Sequence, residues 1–182
     1  SDVLFTILEH FKGGLLLIED INKYVSDHLP NDLVGAICTN RHVDLDIIMH
    51  FQSIGRVTTK VWQNLNWLRF HKNSDSVERH KKKFEDKYDF LKITEIMVNK
   101  EYFDGNKRFF VYVDTEEEKI LGQFTPKMLK DAIEEFVSLN YNRLVKPQLN
   151  KRDGRGKLVA EPSKVIRDVK DRLFKQYYGN SK

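Results

Sequence analysis

Glycines 13 and 14 feed the run Leu15-Leu16-Leu17-Ile18, which stops abruptly at two adjacent carboxylates, Glu19 and Asp20. A short apolar run bounded by a glycine pair and by acids has the form of a buried parallel strand whose carboxyl end opens on a site. A carboxylate in such a place costs free energy unless a cation or hydrogen bonds offset it, and two adjacent ones cost more. Phosphoryl transfer uses such a pair: one acid holds Mg²⁺ through water and the other orients the attacking water. The alternative is an ordinary strand whose two acids point into solvent.

The side chains that would work with this pair lie further on. Segment 45–52 reads as a second strand ending in Gln52, followed by Ser53-Ile54-Gly55-Arg56, and Asn40-Arg41-His42 precedes it. The elements needed to position them have recognisable patterns. Val3, Leu4, Ile7, Leu8 and Phe11 share one face of a helix over 3–11, which the glycine pair ends. A short helix is expected at 21–24, a loop at Pro30, a helix at 33–39, another at 58–66 and a third strand at 67–71. Strand, helix, strand, helix, strand at this spacing predicts a parallel sheet built from βαβ units.

Beyond residue 72 the pattern changes. Residues 73–76 supply caps for a long polar helix over 77–99, whose Lys81-Lys82-Lys83 run is expected to be a solvated face. Asp104-Gly105 marks a turn, 109–113 a strand, and 115–118 a polar turn before Ile120-Leu121. Thr125-Pro126 is an N-cap followed by proline in the first turn, launching a helix over 127–139. Residues 151–157 form a flexible basic loop. Ser163 is expected to cap a last helix, whose Val165, Val169, Leu173 and Tyr177 recur every four residues. No internal repeat is evident.

Composition narrows the class. At 182 residues the expectation is one domain, with room for an appended smaller unit. With 40% hydrophobic and 32% charged residues the chain suits a globular protein, and no apolar run approaches the roughly 20 residues of a membrane span. No secretory signal is recognisable at the N-terminus. Cys38 stands alone, which rules out an internal disulfide and Cys-rich metal sites and points to a reducing compartment, the cytoplasm. The six histidines show no metal-ligand spacing, so no structural zinc is expected. Charge is unevenly spread. Residues 143–182 hold 12 Lys+Arg against 4 Asp+Glu, whereas residues 1–142 hold 19 against 23. A basic tail on an acidic body suits contact with a polyanion, through Lys151, Arg152, Arg155 and Lys157 of its loop. The alternative is a solvated terminus.

The Leu15–Asp20 stretch resembles a Walker B strand. From Lys12 to His71 the order is acidic strand, helix, arginine, strand tipped by glutamine, helix, strand. This resembles the second half of the HerA–FtsK class of ring-forming P-loop ATPases, and within it the DNA-packaging ATPases of small phages. The resemblance covers roughly the first 120 residues. It implies a partial RecA-like α/β parallel sheet with flanking helices over 1–122 and a basic, mainly helical extension over 123–182. It implies Mg²⁺ and ATP as cofactors of an intact enzyme, double-stranded DNA as its partner, a homo-oligomeric ring, and the host cytoplasm if the source is viral. Glu19 matches the Mg²⁺-associated acid and Asp20 the catalytic carboxylate, in an order inverted from the common one, which leaves the two roles interchangeable. Gln52 matches the γ-phosphate sensor. Arg41, or Arg56 as second choice, matches an arginine finger acting on the neighbouring subunit.

One departure stands out. The family's G-x-x-x-x-G-K-[ST] loop is absent, and the chain begins only 18 residues before Glu19. The expected explanation is the C-terminal part of a longer ATPase, inactive alone; the other is a half that has lost nucleotide function. Two competing functions are a non-catalytic nucleic-acid-binding module, resting on the tail with Tyr141, Phe174, Tyr177 and Tyr178, and a phage structural adaptor docking through the 77–99 helix. At these spacings the four aromatics are more often core.

Overall fold

The computed structural model describes residues 6–7, 10–21, 35, 44–84, 87–150, 152, 156 and 161–179. It is a mixed α/β structure that divides into two compact units. Unit 1 comprises Ser1–Leu65 and Asn73–Lys83, and unit 2 comprises Asn66–Lys72 and Phe84–Lys182.

Unit 1 holds a two-stranded parallel sheet of β1 (Gly14–Ile18) and β2 (Leu45–Met49). Gly14 pairs with Leu45 and Ile18 with Met49. Gly13 and Gly14 enter the strand at φ +71° and +105°, a region that any residue with a Cβ occupies only under strain. Strand alternation sends Leu16 and Ile18 inward, where Ile21, Val57 and Val61 form a small core with Ile47, Met49, Phe51 and Trp62 packed against it. Val61 and Trp62 come from helix α1 (Thr59–Gln63), whose first turn is capped by the Thr58 hydroxyl accepting from the Val61 N–H at 3.4 Å. On the opposite face Leu15, Leu17 and Ile48 are 59%, 55% and 52% exposed.

Unit 2 is built on helix α2 (Tyr88–Phe103), buried from Tyr88 to Val98 on nearly every face. One side carries an antiparallel sheet in the order β3 (Trp67–His71), β4 (Phe110–Asp114), β5 (Lys119–Leu121). The inward residues Phe70, Val111, Val113 and Ile120 are buried. The other side carries α3 (Pro126–Leu139), against which the last helix α4 (Pro162–Tyr177) packs. Val165, Val169, Leu173 and Tyr177 are all buried, and Tyr177 meets Phe90 at a ring separation of 5.1 Å. Burial and the neighbouring carboxylates of Asp89 and Glu118 push the Tyr177 hydroxyl pKa up. Arg143 grips Asp89 of α2 with two hydrogen bonds of 3.0 and 2.7 Å.

Four expectations need correction. The third strand forms at 67–71, but it pairs antiparallel with β4 in the second sheet and does not extend the parallel one. The second strand stops at Met49, so Gln52 lies beyond its end. The 77–99 segment is not one polar helix. Val77–His80 is a 3-10 turn and Lys81–Phe84 a short helical turn, after which α2 is a core element, because its apolar residues cover the whole circumference. The last helix begins at Pro162 with Glu161 at the N-cap, two positions ahead of the expected Ser163. Of the first helix, Thr6, Ile7 and His10 are helical and Phe11 is not, Gly35 is helical within 33–39, and the rest of those two segments lies outside the described residues. The 122/123 division falls within unit 2, between β5 and α3.

Because Phe90 is fully buried and meets the Tyr177 ring at a tilt, Phe90→Ala should destabilise unit 2 by about 3–5 kcal/mol. Urea unfolding followed by circular dichroism measures this directly, and a loss below about 1 kcal/mol would mean that α2 is not the core element of that unit.

Candidate functional site at the parallel strand ends

Two strands that run the same way bring their carboxyl ends to the same edge, and here those ends hold Glu19, Asp20, His50 and Gln52. Backbone bonds continue the pairing past the strands. The His50 N–H donates to the Ile18 carbonyl at 2.9 Å, and the Ile21 N–H donates to the His50 carbonyl at 3.4 Å. Glu19 and Asp20 are therefore squeezed between two tethered positions. Asp20 adopts φ +49°, the left-handed region that Asp tolerates better than most residues. Backbone held this way concentrates at functional sites.

The Gln52 side-chain amide donates to Asp20 Oδ1 at 3.5 Å. His50 Nδ1 stands 3.9 Å from the same oxygen. Asp20 is half-buried, whereas Glu19 and Gln52 are exposed. The fold thus joins two residues 32 positions apart that the sequence had marked separately. Arg56 is exposed at the end of the 3-10 turn Ile54–Arg56. Arg41 lies outside the described residues, as do Lys151, Arg155 and Lys157. Arg152 is exposed and donates to the Gly156 carbonyl at 2.7 Å. Of the tail's other charges, Lys170 pairs with Glu134, while Lys164, Arg167, Arg172 and Lys175 are exposed on α4 together with Asp168 and Asp171.

A second group of side chains, not anticipated from the sequence, holds the loop that follows Gln52. Lys83 Nζ donates to the carbonyls of Gly55 and Val57 at 2.8 and 2.7 Å. His80 Nε2 is 2.6 Å from Asp75 Oδ2, and a Cβ at Gly55 would overlap both of these side chains. Burial pushes the Asp75 carboxyl up, but the Ser76 N–H, the His80 ring and the Arg79 guanidinium more than offset it and leave the group below its ordinary value. Burial lowers the Lys83 ammonium, with Asp75 opposing. The lysine run was legible only as charge. Its third member spends its donors on backbone carbonyls.

Two carboxylates and an amide at one strand edge offer hard oxygen donors, the set that suits Mg²⁺, which takes one or two carboxylates and fills the rest of its octahedron with water and phosphate oxygens. Among the described residues no three His, Cys, Asp or Glu side chains gather to hold a metal by themselves. No helix among the described residues is long and apolar enough to cross a membrane. Comparison with family models, with curated proteins and with solved structures finds no match for this chain.

The Asp75 clamp makes a pH-dependent prediction. A carboxyl held below its ordinary value stabilises the fold above that value, and the contribution is lost as the pH falls through the depressed one. Asp75→Asn should cost unit 1 about 1.5–3 kcal/mol at neutral pH, and the gap from wild type should close in acid. Urea titrations across the acid range test it; a gap that stays constant with pH would remove the ionised carboxylate from the account.

Proposed function

We propose that this chain supplies the carboxylate and sensor edge of a Mg²⁺–ATP site in a ring-forming ATPase that moves double-stranded DNA, of the packaging type. The observation that supports it is the meeting of Asp20 and Gln52 at the carboxyl ends of adjacent parallel strands. Open parallel sheets bind their ligands at that edge. The sequence contains no G-x-x-x-x-G-K-[ST] segment, so in this reading the phosphate cradle comes from a separate segment of the intact protein.

The exposures favour one assignment of the acids. Glu19, exposed at the edge, is the better placed to hold Mg²⁺ through water. When bound, the ion supplies neutralisation of phosphate charge. Asp20, half-buried and bonded to Gln52, accepts a hydrogen bond from the attacking water and draws off its proton. The Gln52 amide fixes the rotamer of that carboxylate and can turn a donor to the γ-phosphate. A cation from the neighbouring subunit, Arg41 or Arg56, neutralises charge on the transferred phosphoryl group, so that turnover requires the ring. The exposed cations of α4, with the 151–157 loop, would meet the DNA phosphates without reading sequence.

In the intact protein, Asp20→Ala and Gln52→Ala should each lower ATP turnover by about 10²–10⁴-fold while nucleotide affinity stays within a few-fold. Near-normal turnover in Asp20→Ala would sink the assignment.

The isolated 182-residue chain should hydrolyse no ATP, since backbone donors that cradle the phosphates are missing from its sequence. Calorimetric titration with Mg²⁺–ATP should register no tight binding; a submicromolar complex would reveal a phosphate site of a different design.

A further inference from the structure

The antiparallel sheet of unit 2 has a face that its own core does not use. In β3 the outward residues are Trp67, Arg69 and His71, and the register sets them opposite Asp114, Tyr112 and Phe110 of β4. The inward residues of the same strands pack towards α2, so this face is available without disturbing the core. Trp67 is 54% and Tyr112 41% exposed.

Rings and cations alternate across it. The His71 and Phe110 rings are 5.1 Å apart, and Phe110 meets Tyr112 edge-on at 5.5 Å. The Arg69 guanidinium lies over the Phe110 ring, 3.9 Å from its centroid, in a residue that is exposed overall. Arg108, exposed just before β4, adds a second guanidinium at the His71–Phe110 end. Among the described residues neither arginine has a carboxylate partner. The acidic member of the face, Asp114, sits at the far end and spends one oxygen on the Glu116 and Glu117 N–H groups, both at 3.0 Å.

We propose that this face is a binding platform for single-stranded nucleic acid. Exposed rings on a sheet offer flat surfaces on which unpaired bases stack, and guanidinium groups between them take phosphates or extend the stack. Alternate residues along a strand stand about 6.8 Å apart and neighbouring strands about 4.8 Å, so a face of this size takes two or three bases. Charge decides against an apolar protein partner: a guanidinium covers one face of Phe110, and Arg69 and Arg108, which have no carboxylate partner among the described residues, call for an anion. A duplex hides its base faces and cannot stack here. The proposal is independent of the nucleotide site and of the basic tail.

The test uses the full chain carrying Trp62→Phe, which leaves Trp67 as the sole tryptophan. Short oligothymidylate, oligouridylate and a duplex of matched length are titrated at about 50 and about 200 mM salt. Single strands should quench Trp67 and bind more tightly than the duplex, and the two oligonucleotides tell DNA from RNA. Tyr112→Ala should weaken single-strand binding about tenfold, with Tyr112→Phe largely retaining it. Arg69→Gln should lower the slope of log affinity against log salt by about one. Equal affinity for single strand and duplex with no quenching would overturn the proposal, as would wild-type binding by folded Tyr112→Ala. Self-association abolished by Tyr112→Ala, without quenching by any oligonucleotide, would assign the face to a protein contact instead.

Discussion

The parallel sense of the β1–β2 pair is the constraint on which the strand-edge cluster depends. Were the strands antiparallel, Asp20 and Gln52 would leave the sheet at opposite ends. A slip of one residue in register would turn Leu16 and Ile18 outward and break up the small core beneath them. The pairing of Ile18 with Met49, and the backbone bonds from His50 and Ile21 that extend it, leave Glu19 and Asp20 little room. The left-handed turn at Asp20 follows from that confinement, and it points a half-buried carboxylate at the Gln52 amide.

The loop after Gln52 could not hold its shape by itself. Its carbonyls at Gly55 and Val57 find donors outside the loop. Residues 75–83 provide them from far along the chain. Lys83 takes two carbonyls, while Asp75 and His80 press on the one position, Gly55, that lacks a Cβ. A lysine partly withdrawn from water costs free energy that two short hydrogen bonds and a nearby carboxylate offset. Through this clamp the segment that carries Arg56 is tied to residues 75–83 of the same unit.

Much of this was legible in local pattern, and the failures share one cause. β1, the Thr125–Pro126 helix start and the fourfold stripe of the last helix depend on neighbouring residues alone, and they form close to where the sequence places them. The pairing partner of Trp67–His71 does not, because a strand's period of two is the same whether its neighbour runs parallel or antiparallel. The polar look of 77–99 came from averaging two different pieces. Lys81–Lys83 belongs to a turn that serves unit 1, whereas Tyr88–Val98 is the centre of unit 2. At the strand edge the types of Asp20 and Gln52 were legible and their 3.5 Å meeting was not. His50 carried no signal beyond its place two residues before Gln52.

The same alternation that hid the sense of β3 explains why its outer face can carry chemistry. Leu68 and Phe70 point inward, as do Val111 and Val113, and these residues with α2 hold the sheet together whatever stands on the other side. Cross-strand contacts such as Arg69 on Phe110 add little to stability, because one side of each contact stays in water. Large rings left in solvent oppose solubility and return nothing to the core of unit 2. Rings exposed beside guanidinium groups that have no carboxylate partner among the described residues are therefore better accounted for by the proposed flat, anionic partner than by folding.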